Sequence, residues 1–73
     1  MRPYVIERAG DLAWVLRFAG SQHTMISGPT EESAREQAFE CVRQWAPCQI
    51  RVIGEPREEW ALTHPGGEWE RTA

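Results

Sequence analysis

The chain has 73 residues, a formal net charge of −3 and a sequence pI near 5.3, which fits one small domain. The surplus of acidic side chains argues against a protein that coats nucleic acid through positive charge, and direct nucleic-acid binding is not expected. A hydrophobic content of 41% with four tryptophans argues against a disordered acidic tail.

The first predicted elements are two strands that form an antiparallel hairpin. Residues 4–8 and 12–19 both alternate with a period of two, and an Ala-Gly-Asp turn signal lies between them. A short third strand is expected at residues 23–26, where it would return beside the second strand.

A single amphipathic helix is predicted to begin after Thr30 and to end before Pro47. The Thr30 hydroxyl is a good N-cap, and Glu31 and Glu32 favour the positive end of the helix dipole. Pro47 cannot continue a helix. One apolar stripe follows the helical spacing: Ala34, Ala38, Cys41, Val42 and Trp45.

Two further strands are predicted at residues 49–53 and 59–64. We therefore expect an α+β fold, in which one helix packs on one face of an antiparallel sheet of four to five strands, in the order β-β-(β)-α-β-β. Residues 1–65 form this single domain, and residues 66–73 form a flexible C-terminal tail. The side chains expected on the core face are Tyr4, Ile6, Trp14, Leu16, Phe18, Ile50, Val52, Trp60 and Leu62.

The other face of the predicted sheet mixes apolar and charged side chains. This pattern is typical either of a sheet that faces solvent or of an interface that makes a homodimer. Trp69 lies beyond Gly66-Gly67, and we expect it either to fold back over the sheet or to anchor a partner protein. The candidate interaction surface consists of Val5, Val15, Arg17, Arg51, Ile53 and Trp69.

Residues capable of catalysis or metal binding form no recognisable pattern. Cys41, Cys48, His23 and His64 could supply four zinc ligands, but six residues separate the two cysteines, and short-loop zinc sites have about two to four. No local signature of a nucleophile and its base surrounds any serine, cysteine or histidine. We therefore predict no catalytic residue, no metal site and no cofactor.

Four short segments carry a resemblance to a known family: Tyr4-Val5-Ile6, Trp14-Val15-Leu16, Thr30-Glu31-Glu32 with Ala34 and Ala38, and residues 50–54. Together they resemble a family of short uncharacterised bacterial ββαββ domains, which implies the fold above and no established activity. A second resemblance implies binding to a toxin, because the start of the predicted helix is similar to that of HicB-type antitoxins. It is carried by Gly28-Pro29-Thr30-Glu31-Glu32-Ser33-Ala34.

The sequence thus predicts a non-enzymatic protein-interaction or regulatory module, whose partner is another protein or a second copy of the chain. The alternative is an acidic inhibitor of a nucleic-acid-handling protein, because glutamates gather on and near the helix. Lys and Asn, whose codons are rich in A and T, are absent, which indicates a GC-rich bacterial genome. With two cysteines, no signal-peptide pattern and no apolar run of membrane length, we expect a cytoplasmic protein.

Overall fold

One helix packs on one face of a sheet of six strands in a computed structural model, which describes residues 1–11 and 13–73. The strands lie in the order β3-β2-β1-β4-β5-β6. The elements are β1 (Arg2–Ala9), β2 (Ala13–Phe18), β3 (Ile26–Gly28), α1 (Glu31–Val42), a short 3₁₀ turn (Arg43–Trp45), β4 (Cys48–Val52), β5 (Glu58–Leu62) and β6 (Glu70–Arg71).

The sheet is mixed, which corrects the expectation of four to five antiparallel strands, while the α+β class with one helix is confirmed. All neighbouring strands are antiparallel except β1 and β4, which run parallel with Val5 beside Arg51. The reason is the helix, because β3, α1 and β4 form a crossover that returns the chain in the direction of β3. The outer side of β2 is already occupied by β3, so β4 adds to the free edge of β1.

The third strand lies at Ile26–Gly28, whereas the sequence predicts it at residues 23–26. Its position follows from the pairing of Leu16 with Ile26 and of Trp14 with Gly28. A side chain at Gly28 would approach the backbone nitrogen of Ala34 to 3.1 Å. Glycine therefore lets this strand pass close to the start of the helix. The predicted second strand also includes Leu12, which lies outside the described residues.

The helix begins as the sequence predicts. The hydroxyl of Thr30 accepts a hydrogen bond of 3.1 Å from the backbone nitrogen of Ser33, which satisfies one of the free N–H groups of the first turn. Ala34, Ala38 and Val42 of the predicted stripe are fully buried. Phe39, which the predicted stripe leaves out, also packs against the core.

The core lies between α1 and the facing side of the sheet, where most of the predicted core residues are found. Phe18 is the exception, since 41% of its surface is exposed at the end of β2. Trp14 and Trp60 are half-buried and pack at the edge of the core. The fully buried large side chains are Ile6, Leu16, Ile50, Leu62, Val42, Val52 and Cys48.

Residues 66–73, which the sequence predicts as a tail beyond the domain, contribute β6 and Trp69 to the folded unit. Trp60 pairs with Arg71 and Ala61 with Glu70. The Trp69 ring packs against the core, because its large apolar surface finds aromatic neighbours on the helix side of the sheet.

Candidate interaction surface

The sheet has one covered face and one open face. On the covered face α1 packs against β1, β2 and β3. On the opposite side, which we call the outer face, no element among the described residues covers the strands. Five of the six sequence-predicted surface residues lie here or at its border: Val5, Val15, Arg17, Arg51 and Ile53.

The middle of the outer face is a row of four side chains across four neighbouring strands. Strand register places Arg17 beside Val5, Val5 beside Arg51, and Arg51 beside Glu59. Residues paired across a sheet point to the same side, so these four side chains are neighbours on one surface. The row therefore reads positive, apolar, positive, negative from β2 to β5.

Two ion pairs hold the charged side chains of this face. An Nη1 atom of Arg17 lies 2.5 Å from the carboxylate of Glu7, and Nη2 of Arg51 lies 3.7 Å from the carboxylate of Glu59. Their side chains are between 27% and 46% exposed. Pairs this exposed contribute only about 0–1 kcal/mol to stability. They fix the positions of charges on a surface rather than the fold.

Val15 and Ile53 differ in the exposed fraction of their side chains. Val15 is only 4% exposed, because this short side chain lies between Glu7 on one neighbouring strand and Ser27 on the other. Ile53 is 39% exposed and lies just beyond β4, where its backbone nitrogen donates to the carbonyl of Ile6. Ile53 and Val5 therefore supply the accessible apolar surface of the face, and Val15 adds little to it.

A shallow depression on the outer face has a volume of about 70 Å³ and is lined by Pro3, Val5, Gln49, Arg51 and Glu59, among others. Small-molecule sites commonly measure about 300–1,000 Å³. The depression is therefore smaller than a typical metabolite site.

Trp69 lies on the covered side, away from the outer face. Its ring centroid is 4.8 Å from that of Phe39, which in turn meets Trp60 edge-on at 5.8 Å. Arg43 donates to the carbonyl oxygens of Pro65 and Gly67 and so holds the loop before Trp69. Of the two alternatives for Trp69, the structure shows the ring folded back onto its own domain.

An ion pair that was not predicted from the sequence joins the helix to β5. Two guanidinium nitrogens of Arg35 donate to Glu58 at 2.9 and 3.1 Å, and the indole nitrogen of Trp60 donates to Glu58 at 2.8 Å. The hydrogen bonds from Arg35 have the largest effect and, with that from Trp60, hold the pKa of Glu58 below its usual value. The contact with Glu58 in turn raises the pKa of Arg35. The signal in the sequence was alternation, which places Glu58 on the same strand face as Trp60 and Leu62.

A wider groove with both polar and apolar lining lies at the end of the sheet. It has an open volume of about 570 Å³ and is lined by Met1, Phe18, Trp45 and Pro47, among others. Tyr4 supports it from below, with its ring centroid 5.4 Å from that of Phe18 and 6.0 Å from that of Trp45. The groove has exposed apolar surface but no buried polar group that would fix a ligand.

The histidine, cysteine and carboxylate side chains form no metal-binding group in the part of the chain that the structure describes. Among residues 1–11 and 13–73, no three His, Cys, Asp or Glu side chains are grouped to hold a metal ion. Cys48 is fully buried, its thiol donates to the carbonyl of Val42, and burial raises the pKa of that thiol, which disfavours the nucleophilic thiolate. In the same described part of the chain, no helix is both long and apolar enough to span a bilayer.

Comparison with known proteins gives no relative to extend this description. Protein-family models, curated proteins and solved structures were each searched, and none matches the chain. Function is therefore inferred from the geometry of the outer face and of the surfaces around it.

Proposed function

We propose that this protein is a non-enzymatic protein-interaction module, and that the outer face of the sheet is the surface that contacts its partner. The single observation that carries the proposal is the open sheet face on which Val5 and Ile53 stand among two fixed ion pairs. A sheet face of this kind offers apolar area for affinity and placed charges for specificity.

Two further observations support this proposal. Among the described residues, the depression on the outer face is smaller than a typical small-molecule site. The two edge strands of the sheet are also short. The edge strands β3 and β6 have three and two residues, so neither offers a long row of free backbone groups for another strand. A partner would therefore contact the side chains of the outer face rather than pair with an edge strand.

Site-specific photocrosslinking in the native host tests the proposal. A photoreactive amino acid replaces Arg51 on the outer face, and in a matched chain it replaces the exposed Glu36 on the helix. We expect a discrete crosslinked species from position 51 only. Adding Ile53→Asp should remove it, because a charge would replace an exposed apolar contact. Equal products from both positions, or none from position 51, would contradict the proposal.

We place the module in the cytoplasm of a bacterium. The support is the absence of lysine and asparagine together with two free cysteines, Cys41 and Cys48. Fractionation of the native host, followed by immunoblotting, tests this location. Recovery with periplasmic or secreted proteins would contradict it.

A second candidate function uses the opposite side of the molecule. Glu32, Glu36 and Glu40 follow each other at intervals of four residues and are all exposed, so they form an acidic ridge along α1. This ridge favours an acidic inhibitor of a nucleic-acid-handling protein, and the HicB-like helix start would make that partner a toxin. The same crosslinking experiment separates the two functions, because the inhibitor predicts a product from position 36 and none from position 51.

A further inference from the structure

We infer that the partner of the outer face is the same face of a second copy, related to the first by a two-fold axis that runs along the strands between β1 and β4. This inference rests on the proposed function, since it names the occupant of the surface proposed there. Two observations carry it: the order of charges across the sheet and the size of the face.

The order of charges makes the outer face complementary to itself. The row across the four central strands reads Arg17, Val5, Arg51 and Glu59. A two-fold axis along the strands reverses this order in the second copy, because it exchanges β2 with β5 and β1 with β4. Arg17 then faces Glu59 of the partner subunit at one end of the row, and the converse contact forms at the other end.

These contacts would join the existing ion pairs into longer networks. Glu7 already binds Arg17, and Arg51 already lies beside Glu59. Each end of the row then forms a chain of four charges that alternate in sign across the two copies. Alternation of this kind favours the matched register and penalises shifted ones, which place like charges together.

Apolar and charged side chains share the middle of the interface in this arrangement. Val5 and Arg51 lie on either side of the axis, so each Val5 faces Arg51 of the partner subunit. Ile53 extends β4 in the row beside it and faces Glu7 of the partner subunit. The aliphatic part of each Arg51 would cover Val5 in this arrangement, while the contacts between Arg17 and Glu59 lie farther from the axis.

The size of the face indicates how strong the dimer is. Six strands about 4.8 Å apart, with a mean length of about five residues of 3.3 Å, give a face of roughly 500 Å². Two such faces bury about 1,000 Å² in total, which is at the small end of specific interfaces. We therefore expect a dimer that dissociates in the micromolar range and forms as the concentration rises.

Analytical ultracentrifugation of the full chain from about 1 μM to 1 mM tests this inference. We expect the wild-type mass to rise from monomer to dimer over this range. Arg17→Glu and Glu59→Arg should each weaken the dimer at least tenfold, because like charges then face each other at both ends of the row. An equimolar mixture of the two variants should restore a dimer, since positions 17 and 59 then carry opposite charges at both ends of the row.

The controls separate loss of the dimer from loss of the fold. Glu36→Arg changes the same charge on the helix and should leave the dimer unchanged, and circular dichroism shows whether each variant is folded. A wild-type protein that is monomeric at 1 mM overturns the inference, as does a mixture that fails to dimerise although both variants are folded. If position 51 still crosslinks to a different protein, the proposed function stands without the dimer; if it crosslinks to nothing, both fall.

Discussion

Glu58 and Glu59 are neighbours in the chain, yet they belong to opposite faces of the sheet and have different tasks. The side chain of Glu58 is 12% exposed on the covered face and accepts three hydrogen bonds. The side chain of Glu59 is 40% exposed on the outer face and reaches one arginine at 3.7 Å. Adjacent residues of a strand point to opposite faces of the sheet, so Glu58 makes a structural contact while Glu59 is a surface charge.

The difference lies in how much water each carboxylate retains. A carboxylate removed from water must be matched by close donors, and Arg35 with Trp60 provides them for Glu58. Glu59 remains hydrated, so its pairing with Arg51 adds little to stability and leaves it free to meet a partner. A closely paired carboxylate and an exposed, weakly paired one therefore lie on opposite faces of one sheet.

The largest effect that tests this comparison is expected from the core. Ile6→Ala removes a fully buried side chain and should lower the free energy of unfolding by about 2–5 kcal/mol, because it leaves a cavity. The control is Val5→Ala on the outer face of the same strand, which should cost under about 1 kcal/mol. Urea denaturation at low protein concentration measures both, and similar losses would show that the outer face is also covered.

Trp69 tests whether the C-terminal segment belongs to the covered face. Trp69→Ala should cost about 2 kcal/mol, because the half-buried ring packs on Phe39. Trp69→Phe should stay within about 0.5 kcal/mol of wild type, since it removes an indole N–H that is buried without a partner among the described residues. If Trp69→Ala is as stable as wild type in thermal melts, the segment does not contribute to the domain.

The neighbouring glutamates provide the most direct comparison. Glu58→Gln should lower the free energy of unfolding by about 1–2 kcal/mol, because the half-buried Arg35 guanidinium loses its closest counter-charge while some hydrogen bonds remain. Glu59→Gln is the matched variant and should change it by less than about 0.5 kcal/mol. Chemical denaturation at pH 7 compares them, and equal effects would remove the distinction between the two faces.

The dependence of stability on pH should also differ between the two glutamates. We expect the stability lost on protonation of Glu58 to be no larger than the loss caused by Glu58→Gln. The pKa of Glu58 is lower in the folded protein than the ordinary value, which is about 4.3 for a free glutamate. Its contribution is therefore complete above about pH 5 and is lost as the pH falls through the lowered folded-state pKa. Urea titrations at several pH values should show that Glu58→Gln flattens this loss and Glu59→Gln does not.

Local elements were predictable because their signals lie in adjacent residues. Thr30 begins the helix and Ile6 and Leu16 lie in the core, as the period of the sequence indicates. The position of β3 was not predictable from the sequence, since the close approach between Gly28 and the helix depends on packing. Phe39 was missed because a ring at the border of the apolar stripe is buried only when other aromatic rings reach it.

The candidate surface was predicted in part for the same reason. Alternation assigns Val5, Arg17 and Arg51 to one face, and strand pairing then places them in a row. Alternation does not report how much a side chain is shielded by its neighbours, so the near-complete burial of Val15 became visible only in the folded sheet. The dimer inferred here depends on the row, which no single strand contains.

The sequence by itself determined the class of fold, the helix with its N-cap and the division of each strand into two faces. These are consequences of short-range periodicity and capping chemistry. Only the tertiary structure decided that β4 runs parallel to β1, that Trp69 returns to the helix side and that Glu58 is paired while Glu59 is open. Such features depend on contacts between residues far apart in the chain, and burial arises only when those residues meet.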